Sequence, residues 1–399
     1  MKPMHQRLLP DVDDKNRDVS RRQMVAALAA AGLAATARNA LADAIAPILE
    51  QTESANTAPL FRLQRVSSSV YAAIARPVEL LNCNAAVVVG PKYVLVVDTH
   101  SKPSAAQALI NQIRREITDR PVRYAVNTHF HWDHSQGNLA YPDAYGGATD
   151  IIASTATREW LSKEGVPRLR DTIAARLKQI SELESKVREA KTDQEKARLL
   201  GRIGEMKAFV QEMSPAEKHI ALPRITFENR LIINNGGLEI HLLFLGRGHT
   251  AGDVVVWVPG ERVVATGDLM HSVLPYIGDG FPDEWARTLT ALEGLDFDHA
   301  VPGHGSVQDG KSVAASFRAY LEELNESVMR GVERGASLAE LQRALTPDRL
   351  RSLSTGGNAE RLQRESSTAF GAPPNAPLTT AVAANVLDVF NYYKKREKG

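Results

Sequence analysis

The chain carries the stretch Thr128-His129-Phe130-His131-Trp132-Asp133-His134 directly after the apolar segment Val122 to Val126. Three imidazoles and one carboxylate therefore fall within six residues, at the expected end of a strand. Imidazole nitrogen and carboxylate oxygen are ligands that zinc prefers, and a loop that curls at a strand end lets them converge. A loop that merely solvates or caps is the alternative, but it would leave these groups crowded and unpaired. The stretch predicts a metal-binding loop.

Composition limits the kind of protein this is. The chain has 399 residues, of which 43% are hydrophobic, enough for one large core or two modest ones. Its formal net charge of +1 gives no electrostatic footprint for nucleic acid, and no nucleic-acid-binding motif appears. The single cysteine, Cys83, excludes an intramolecular disulfide and a cysteine-rich zinc site. Any metal must be held by His, Asp and Glu.

The N-terminus, residues 1–42, resembles a bacterial twin-arginine export signal. Arg21 and Arg22 precede the small apolar run Val25 to Ala37, and Ala40-Leu41-Ala42 follows with cleavage expected near Asp43. The run is too short and too alanine-rich to span a membrane, so we expect no stable membrane insertion. A flexible or amphipathic helix is the alternative. The signal predicts a periplasmic or secreted protein.

A β-rich body begins after a linker at residues 43–60. Strand patterns alternate with turn signals, and a helix pattern with apolar residues every four positions precedes the strand that carries the metal loop. The expected strands are Phe61–Val66, Val70–Ile74, Ala85–Val89, Tyr93–Val97 and Val122–Val126, and the expected helix is Ser104–Ile117. Strand, helix and strand predict a crossover unit, with ligands at the carboxyl ends of the strands.

Residues 155–218 change character and predict an inserted helical hairpin. Apolar residues recur every three or four positions between dense Lys, Arg and Glu, first from Ile173 to Ala190 and again from Leu200 to Met213. Thr192-Asp193-Gln194-Glu195 has the form of a capping box between the two runs. We expect the hairpin to pack on the surface or to form a homodimer, rather than to act as a lid.

After the insertion, three further polar loops follow predicted strands, as the metal loop follows Val122 to Val126. Strand patterns at Leu238–Leu245, Arg262–Ala265 and the segment before Gly303 end near His249, Asp268 and His304, respectively. Beyond residue 320, we expect a C-terminal helical extension, residues 321–399, with no independent domain. Within it, Ser352 to Pro377 is rich in Ser, Gly, Asn and Pro and predicts a loop or linker.

Taken together with the metal loop, these polar loops make the chain resemble the metallo-β-lactamase superfamily over about residues 60–320. His129-x-His131-x-Asp133-His134 is similar to the family's first ligand cluster, and Gly-His249-Thr, Thr-Gly-Asp268 and Pro-Gly-His304-Gly match the later ligands in order. Asp98 matches the family's buried aspartate, which orients the metal loop. The resemblance implies an α/β fold, a four-layer αβ/βα sandwich, over residues 61–320.

The resemblance also implies a two-zinc site. His129, His131 and His249 would hold one zinc and Asp133, His134 and His304 the other, with Asp268 bridging. A metal-bridging hydroxide would then cleave an ester, thioester, lactone or amide of a small molecule. Asp133 is also a candidate to accept a proton in turnover. Iron is the alternative metal, because the ligands alone do not select zinc.

Departures from the family pattern narrow the substrate class. β-Lactamases of the superfamily usually carry cysteine or serine at the position of Asp268, so the chain is more similar to glyoxalase II, lactonases and quinoprotein-linked periplasmic relatives. No basic cluster for a glutathione carboxylate follows His304, which disfavours glyoxalase II. A β-lactamase and a non-haem iron oxidoreductase of the same fold are the alternatives.

Two further residues are candidates for the cleft. His271 and Tyr276 follow Asp268 closely, and either could donate a hydrogen bond to a substrate oxyanion; packing of the loop is the alternative interpretation. We expect the remaining histidines to have structural or surface roles, and they are His5, His100, His219, His241 and His299.

Overall fold

The structure is a computed structural model that describes residues 59–77, 82–373 and 375–396. The predicted export signal and nearly all of the predicted linker lie outside the described residues, so both stay predictions. Within the described part, no helix combines the length and the apolar character needed to cross a bilayer.

Two mixed sheets form the centre of the molecule. The first has seven strands in the order β1-β2-β3-β4-β5-β6-β7, and the second has six in the order β13-β12-β11-β10-β9-β8. The strands of the first sheet are β1 Phe61–Arg65, β2 Val70–Ala75, β3 Ala85–Val89, β4 Val94–Val97, β5 Val122–Val126, β6 Asp150–Ser154 and β7 Ile225–Phe227. Those of the second are β8 Arg230–Asn235, β9 Leu238–Phe244, β10 Val254–Val258, β11 Val263–Gly267, β12 His299–Pro302 and β13 Gln308–Asp309.

The predicted crossover unit is present in the first sheet. Strands β4 and β5 pair in parallel, and helix α1 (Pro103–Glu116) connects them. Parallel strands end at the same edge of a sheet. Asp98, just after β4, and Thr128, just after β5, therefore lie side by side, where the polar loop begins.

Three apolar clusters divide the sandwich into four layers. One lies between the sheets and contains Leu95 and Val126 from the first sheet with Val254 and Val256 from the second. A second packs α1 on the outer face of the first sheet through Leu109 and similar residues. The third packs the later helices on the outer face of the second sheet. Burial on both faces explains the continuous Val and Ala runs of the central strands, and the four-layer αβ/βα fold is confirmed.

The region from residue 155 forms a long helical hairpin, as the sequence predicts. Two short helices, α2 (Trp132–Ser135) and α3 (Ala140–Ala144), precede it in the chain. The hairpin itself consists of α4 (Thr155–Glu189) and α5 (Asp193–Met213). The side chain of Thr192 accepts a hydrogen bond from the Glu195 amide at 3.1 Å and so caps α5. The hairpin tip is held by an apolar seam of its own, whereas Leu169, Phe209 and Met213 at its base pack against Trp132. The base of the insertion therefore touches the predicted metal loop.

The last helices cover the second sheet. They are α6 Pro282–Glu293, α7 Ser312–Glu333, α8 Leu338–Ala344, α9 Arg351–Ser354, α10 Asn358–Phe370 and α11 Thr379–Arg396. The prediction of a loop over Ser352–Pro377 was wrong, because α10 takes up 13 of those residues. Gly357 and Gly371, which suggested a loop, instead flank α10 in the left-handed conformation, with φ of 70° and 65°. Burial of Leu362 anchors the helix despite its serine-rich composition.

Candidate metal centre

Asp98 holds the polar loop in place. Its carboxylate accepts hydrogen bonds from the Thr128 amide at 2.8 Å and the Thr128 hydroxyl at 2.9 Å, and its Oδ2 lies 2.7 Å from Nδ1 of His134. The residue is buried, with a positive φ of 66° that an aspartate tolerates better than most side chains. One carboxylate thus fixes the start of the loop and the ring of His134, whose Nε2 faces the carboxylates of Asp133 and Asp268.

Three histidines form what we call the first group: His129, His131 and His249. Their ligand atoms, together with one carboxylate oxygen of Asp268, lie within 4.8 Å of one another. Nε2 of His249 is 2.8 Å from Nδ1 of His131, although the two residues are 118 positions apart in the sequence. The ends of β5 and β9 supply this group, as the strand pattern predicts.

Asp133, His134 and His304 form the second group. Oδ2 of Asp133 lies 3.1 Å from Nε2 of His304 and 3.5 Å from Nε2 of His134. All three residues are buried, with exposures of 5% or less. The loop after β12 brings His304 to the beginning of α2, where the other two residues stand.

Asp268 lies between the two groups. Its Oδ2 is 3.6 Å from Nε2 of His249 and 3.5 Å from Nε2 of His304, and its Oδ1 is 3.4 Å from Nε2 of His134. Gly303 makes room for it, because a Cβ at that position would lie 2.0 Å from Oδ1 of Asp268. All seven residues predicted as ligands therefore converge in the structure, and their role in binding metal stays a prediction.

The two groups differ in their electrostatics. Burial, reinforced by the neighbouring imidazoles, lowers the pKa of His129 and of His249 well below the ordinary value. Burial also opposes protonation of His304, but Asp268 and Asp133 outweigh it and raise its pKa to about 9. Burial likewise opposes ionisation of Asp268, yet His304 and His134 hold its pKa well below the usual range. His129 and His249 are thus neutral, whereas the second group contains paired charges.

The residues present fit a pair of metal ions. Nε2 of His129, Nε2 of His134 and Oδ1 of Asp268 are buried and have no hydrogen-bond partner among the described residues. Buried polar atoms are rarely left unsatisfied, because each costs free energy unless a partner or an ion is present. The set of imidazole nitrogens and carboxylate oxygens suits zinc or iron.

A cavity of about 490 Å³ opens onto both groups. His271 and Tyr276 line it, as the sequence predicts for the segment after Asp268. His271 is buried and Tyr276 is half exposed. Helices α10 and α11 of the C-terminal extension supply Phe370, Ala381, Ala384, Asn385 and Asp388 to the same wall.

Sequence reasoning missed two charged residues at the cavity. Asp279 accepts a hydrogen bond from Nε2 of His131 at 3.0 Å and two from Arg168 of α4, at 3.0 and 2.7 Å. The only local signal was the position of Asp279 in a Gly-Asp-Gly turn downstream of Asp268. Nothing in the periodic pattern of α4 distinguished Arg168 from the solvent-facing arginines around it. The insertion therefore takes part in the wall of the cavity, which surface packing alone would not give.

His100 lies behind the centre and away from the cavity. It is buried, its Nδ1 is 3.1 Å from the Cys83 carbonyl oxygen, and its ring stacks on Phe61 with centroids 4.2 Å apart. Burial raises the pKa of the Cys83 thiol to about 12, so the thiol stays neutral beside Asp98 and His134. These contacts fit the structural role that we expected for His100.

Fold and site together define a protein of the four-layer sandwich class with a two-part cluster of buried histidine and aspartate side chains. The sequence model of the Metallo-beta-lactamase superfamily matches residues 78–304, more than half of the chain. The chain belongs to the metallo-β-lactamase superfamily, a superfamily of metal-dependent hydrolases.

Curated relatives match parts of the chain. A Metallo-beta-lactamase type 2 of Bacillus cereus is 31% identical over 83 residues, covering 18% of this chain and 31% of the relative. A Linear primary-alkylsulfatase of Pseudomonas sp. is 24% identical over 274 residues, covering 65% of this chain and 47% of the relative. The chain thus spans less than half the length of either relative.

Metallo-β-lactamases of known structure align with about two thirds of the chain. The metallo-beta-lactamase from Pontibacter korlensis has a TM-score of 0.47 at 18% identity, covering 66% of this chain and 99% of that protein. The DIM-1 metallo-beta-lactamase has a TM-score of 0.46 at 19% identity, covering 66% of this chain and 98% of that protein.

Proposed function

We propose that this protein is a hydrolase with a two-ion centre that cleaves an ester, thioester, lactone or amide of a small molecule. The observation that carries the proposal is the position of Asp268 between two groups of buried ligands. Each group keeps at least one buried imidazole nitrogen without a hydrogen-bond partner. Zinc is the metal we favour, and iron is the alternative.

The assignment of ligands follows the two groups. His129, His131 and His249 would hold one ion, Asp133, His134 and His304 the other, and Asp268 would serve both. When bound, the ions supply Lewis acidity that makes water a better nucleophile and polarises the scissile group. Asp98 and Asp279 keep His134 and His131 turned so that their second nitrogens face the other candidate ligands, Asp268 and His249 respectively.

We assign proton handling to Asp133 and a different role to His271 from the one its sequence position suggests. Asp133 Oδ2 faces the cavity edge beside His304, where it can bind an ion and accept a proton. Burial lowers the pKa of His271 to about 4, so the ring is neutral, and its Nδ1 lies 3.1 Å from the Val273 carbonyl. Because Nδ1 must carry the proton to donate there, Nε2 is an acceptor and would orient water or a substrate N–H.

Elemental analysis of the purified protein, followed by a substrate screen, tests the proposal. We expect about two metal ions per chain and hydrolysis of at least one lactone, ester, thioester or amide. Hydrolysis should disappear after chelation and return on addition of the metal. A protein that binds no ion, or one that binds ions and cleaves none of these substrates, would contradict the proposed function.

Sulfate-ester hydrolysis is the second candidate. The curated relative with the longer match is a linear primary-alkylsulfatase, and the cavity wall beside the centre carries apolar residues suited to an alkyl chain. Decyl sulfate and decyl acetate form a matched pair that differs only in the scissile group. Faster turnover of decyl sulfate would favour this candidate over carboxylic-ester hydrolysis.

The β-lactamase alternative has less support. The Bacillus cereus β-lactamase matches only 83 residues of this chain, and Asp268 stands where a cysteine or serine is usual. A β-lactam belongs in the same screen, where we expect the slowest turnover.

A further inference from the structure

We propose that the substrate has an apolar, uncharged body, which binds against the rings of Tyr276 and Phe370. This inference rests on the proposed function and adds the substrate class. It concerns the part of the molecule away from the scissile bond. One aromatic ring stands beside each ligand group, so a body held between them would place its reactive end at Asp268.

The exposure of these two rings is the first support. Large apolar side chains are exposed at five positions of the described chain, namely Leu177, Ile232, Tyr276, Phe370 and Leu387. Two of the five line this one cavity, where Tyr276 is 53% and Phe370 44% exposed. Exposed aromatic surface next to a polar centre is typical of a binding site, because covering it with a ligand releases water.

The position of the rings is the second support. The Tyr276 ring centroid lies 5.7 Å from that of His131, and the Phe370 ring centroid lies 5.6 Å from that of His304. The two residues come from different parts of the chain, the loop after β11 and the end of α10. Ala381 and Ala384 of α11 line the same cavity with small side chains, which leaves space beside the rings.

The charges of the cavity wall disfavour an anionic substrate body. Among the described residues that line the cavity, Arg168 is the only lysine or arginine, and both of its hydrogen bonds to Asp279 are already made. Asp388 adds a further carboxyl group to the wall. A carboxylate on the substrate body would therefore meet acidic groups and no lysine or arginine whose charge is not already paired.

The hydroxyl of Tyr276 is not placed to donate a hydrogen bond to a substrate oxyanion. A Cβ built at Gly278 would lie 2.4 Å from the Tyr276 hydroxyl oxygen, so that oxygen is packed against the backbone of its own loop. The face of the Tyr276 ring is the part that lines the cavity. Tyr276 then contributes apolar surface, and its hydroxyl is dispensable.

A series of p-nitrophenyl esters tests the proposal on the metal-loaded full-length protein. From the acetate to the decanoate, we expect kcat/KM to rise about two- to fourfold per methylene until the cavity is full. The p-nitrophenyl monoester of adipic acid, which carries a carboxylate at the far end, should be at least about tenfold poorer than the hexanoate.

Variants assign the effect to the two rings. Tyr276→Ala and Phe370→Ala should each reduce the gain per methylene, mainly through KM, while Tyr276→Phe should behave like the wild type. Ile232→Ala is the matched control, because Ile232 is also an exposed apolar residue but lies on β8, outside the cavity. Binding of the neutral dye Nile red to metal-free protein gives a readout without turnover and should weaken in the same two alanine variants.

The outcomes separate this inference from the proposed function. Wild-type protein that cleaves none of the esters contradicts the function. Wild-type protein that cleaves them without regard to chain length, or that prefers the adipate monoester, contradicts the apolar body and leaves the function standing. A large fall in kcat for Tyr276→Phe with KM unchanged would instead make the hydroxyl a catalytic donor and overturn the assignment of the ring.

Discussion

The two ligand groups share Asp268 but are built on opposite principles. In the first group, imidazoles face imidazoles, and burial with mutual repulsion lowers the pKa of His129 and His249. In the second, carboxylates face imidazoles, and the pKa of His304 rises to about 9. The first group is therefore unsatisfied without an ion, whereas the second is partly satisfied by its own charges. The two groups can therefore matter equally for activity and still differ in what they contribute to the stability of the metal-free protein.

Removing one ligand from each group should give the largest effect. We expect His129→Gln and His304→Gln each to lower kcat/KM at least about a hundredfold, because each substitution weakens the binding of one ion. The metal-free proteins should differ: His304→Gln leaves Asp133 and Asp268 with less compensation and should lose about 3 kcal/mol of stability. His129→Gln removes no charge pair and should lose far less.

Urea unfolding of chelator-treated protein measures that difference. Equal losses of stability in the two variants would contradict the difference between His129, which is neutral, and His304, which is paired with carboxylates. Metal content, determined for each variant beside the activity, should fall in both.

Asp98 supports both groups, so its replacement should not discriminate between them. In Asp98→Asn, the amide oxygen cannot replace both carboxylate oxygens, which now serve Thr128 and His134. We expect metal affinity to fall about 10- to 100-fold for both ions. Competition with a chromophoric chelator measures the two affinities. Asp309→Asn, at an exposed position on β13, is the control. If Asp98→Asn lowered the affinity for only one of the two ions, Asp98 would support only one group.

Acid should act on a histidine behind the groups as well as on the ligands. Burial lowers the pKa of His100 to about 3 in the folded protein, so below its ordinary value of 6.5 the unfolded chain binds the additional proton. The contribution of His100 to stability is therefore complete above pH 6.5 and is lost as the pH falls toward 3. Between pH 6.5 and 5 we expect a loss of about 2 kcal/mol from this residue.

Unfolding of metal-free His100→Asn across that range isolates the effect. Asparagine tolerates the positive φ of 69° at this position, and it has no proton to gain. The variant should show a shallower decline of stability with acidification than the wild type. Parallel pH profiles would assign the acid sensitivity to the ligand groups alone.

The insertion should affect only the first group, with the smallest effect. Arg168→Gln loosens Asp279 and, through it, the ring of His131, so we expect the first group to bind its ion about threefold more weakly. Arg170→Gln is the matched control, because Arg170 lies on the same helix but pairs with Glu217. An effect of Arg168→Gln on both ions, or an equal effect of the control, would remove the specific link to His131.

Local patterns in the sequence predicted the core of this molecule well. Valine-rich runs bounded by turn signals gave the central strands, and the helix before β5 had a regular apolar stripe. The convergence of His249, Asp268 and His304 on the first cluster followed from their common placement at strand ends and from the family resemblance. These features depend on short-range periodicity, which a single sequence records directly.

Features that depend on tertiary contact were not predictable. Helix α10 was missed because the glycines at its ends suggested a loop and because Leu362 is its only buried residue, too little to give an apolar stripe. In the sequence, Arg168 is one of many charged residues on α4. Its place over the Trp160 ring and its pairing with Asp279 are visible only in the folded structure. The sequence likewise does not show that Phe370 lines the cavity, because this depends on the position of α10 beside His304.

Gly303 limits how this protein can be redesigned. A side chain there would occupy the place of a carboxylate oxygen of Asp268 and press on the His134 ring, 2.9 Å away. Any engineering library intended to change substrate preference should therefore keep that position fixed and vary Leu274, Ala381 and Ala384 instead. Selectivity and the integrity of the metal site are then adjustable by separate sets of mutations.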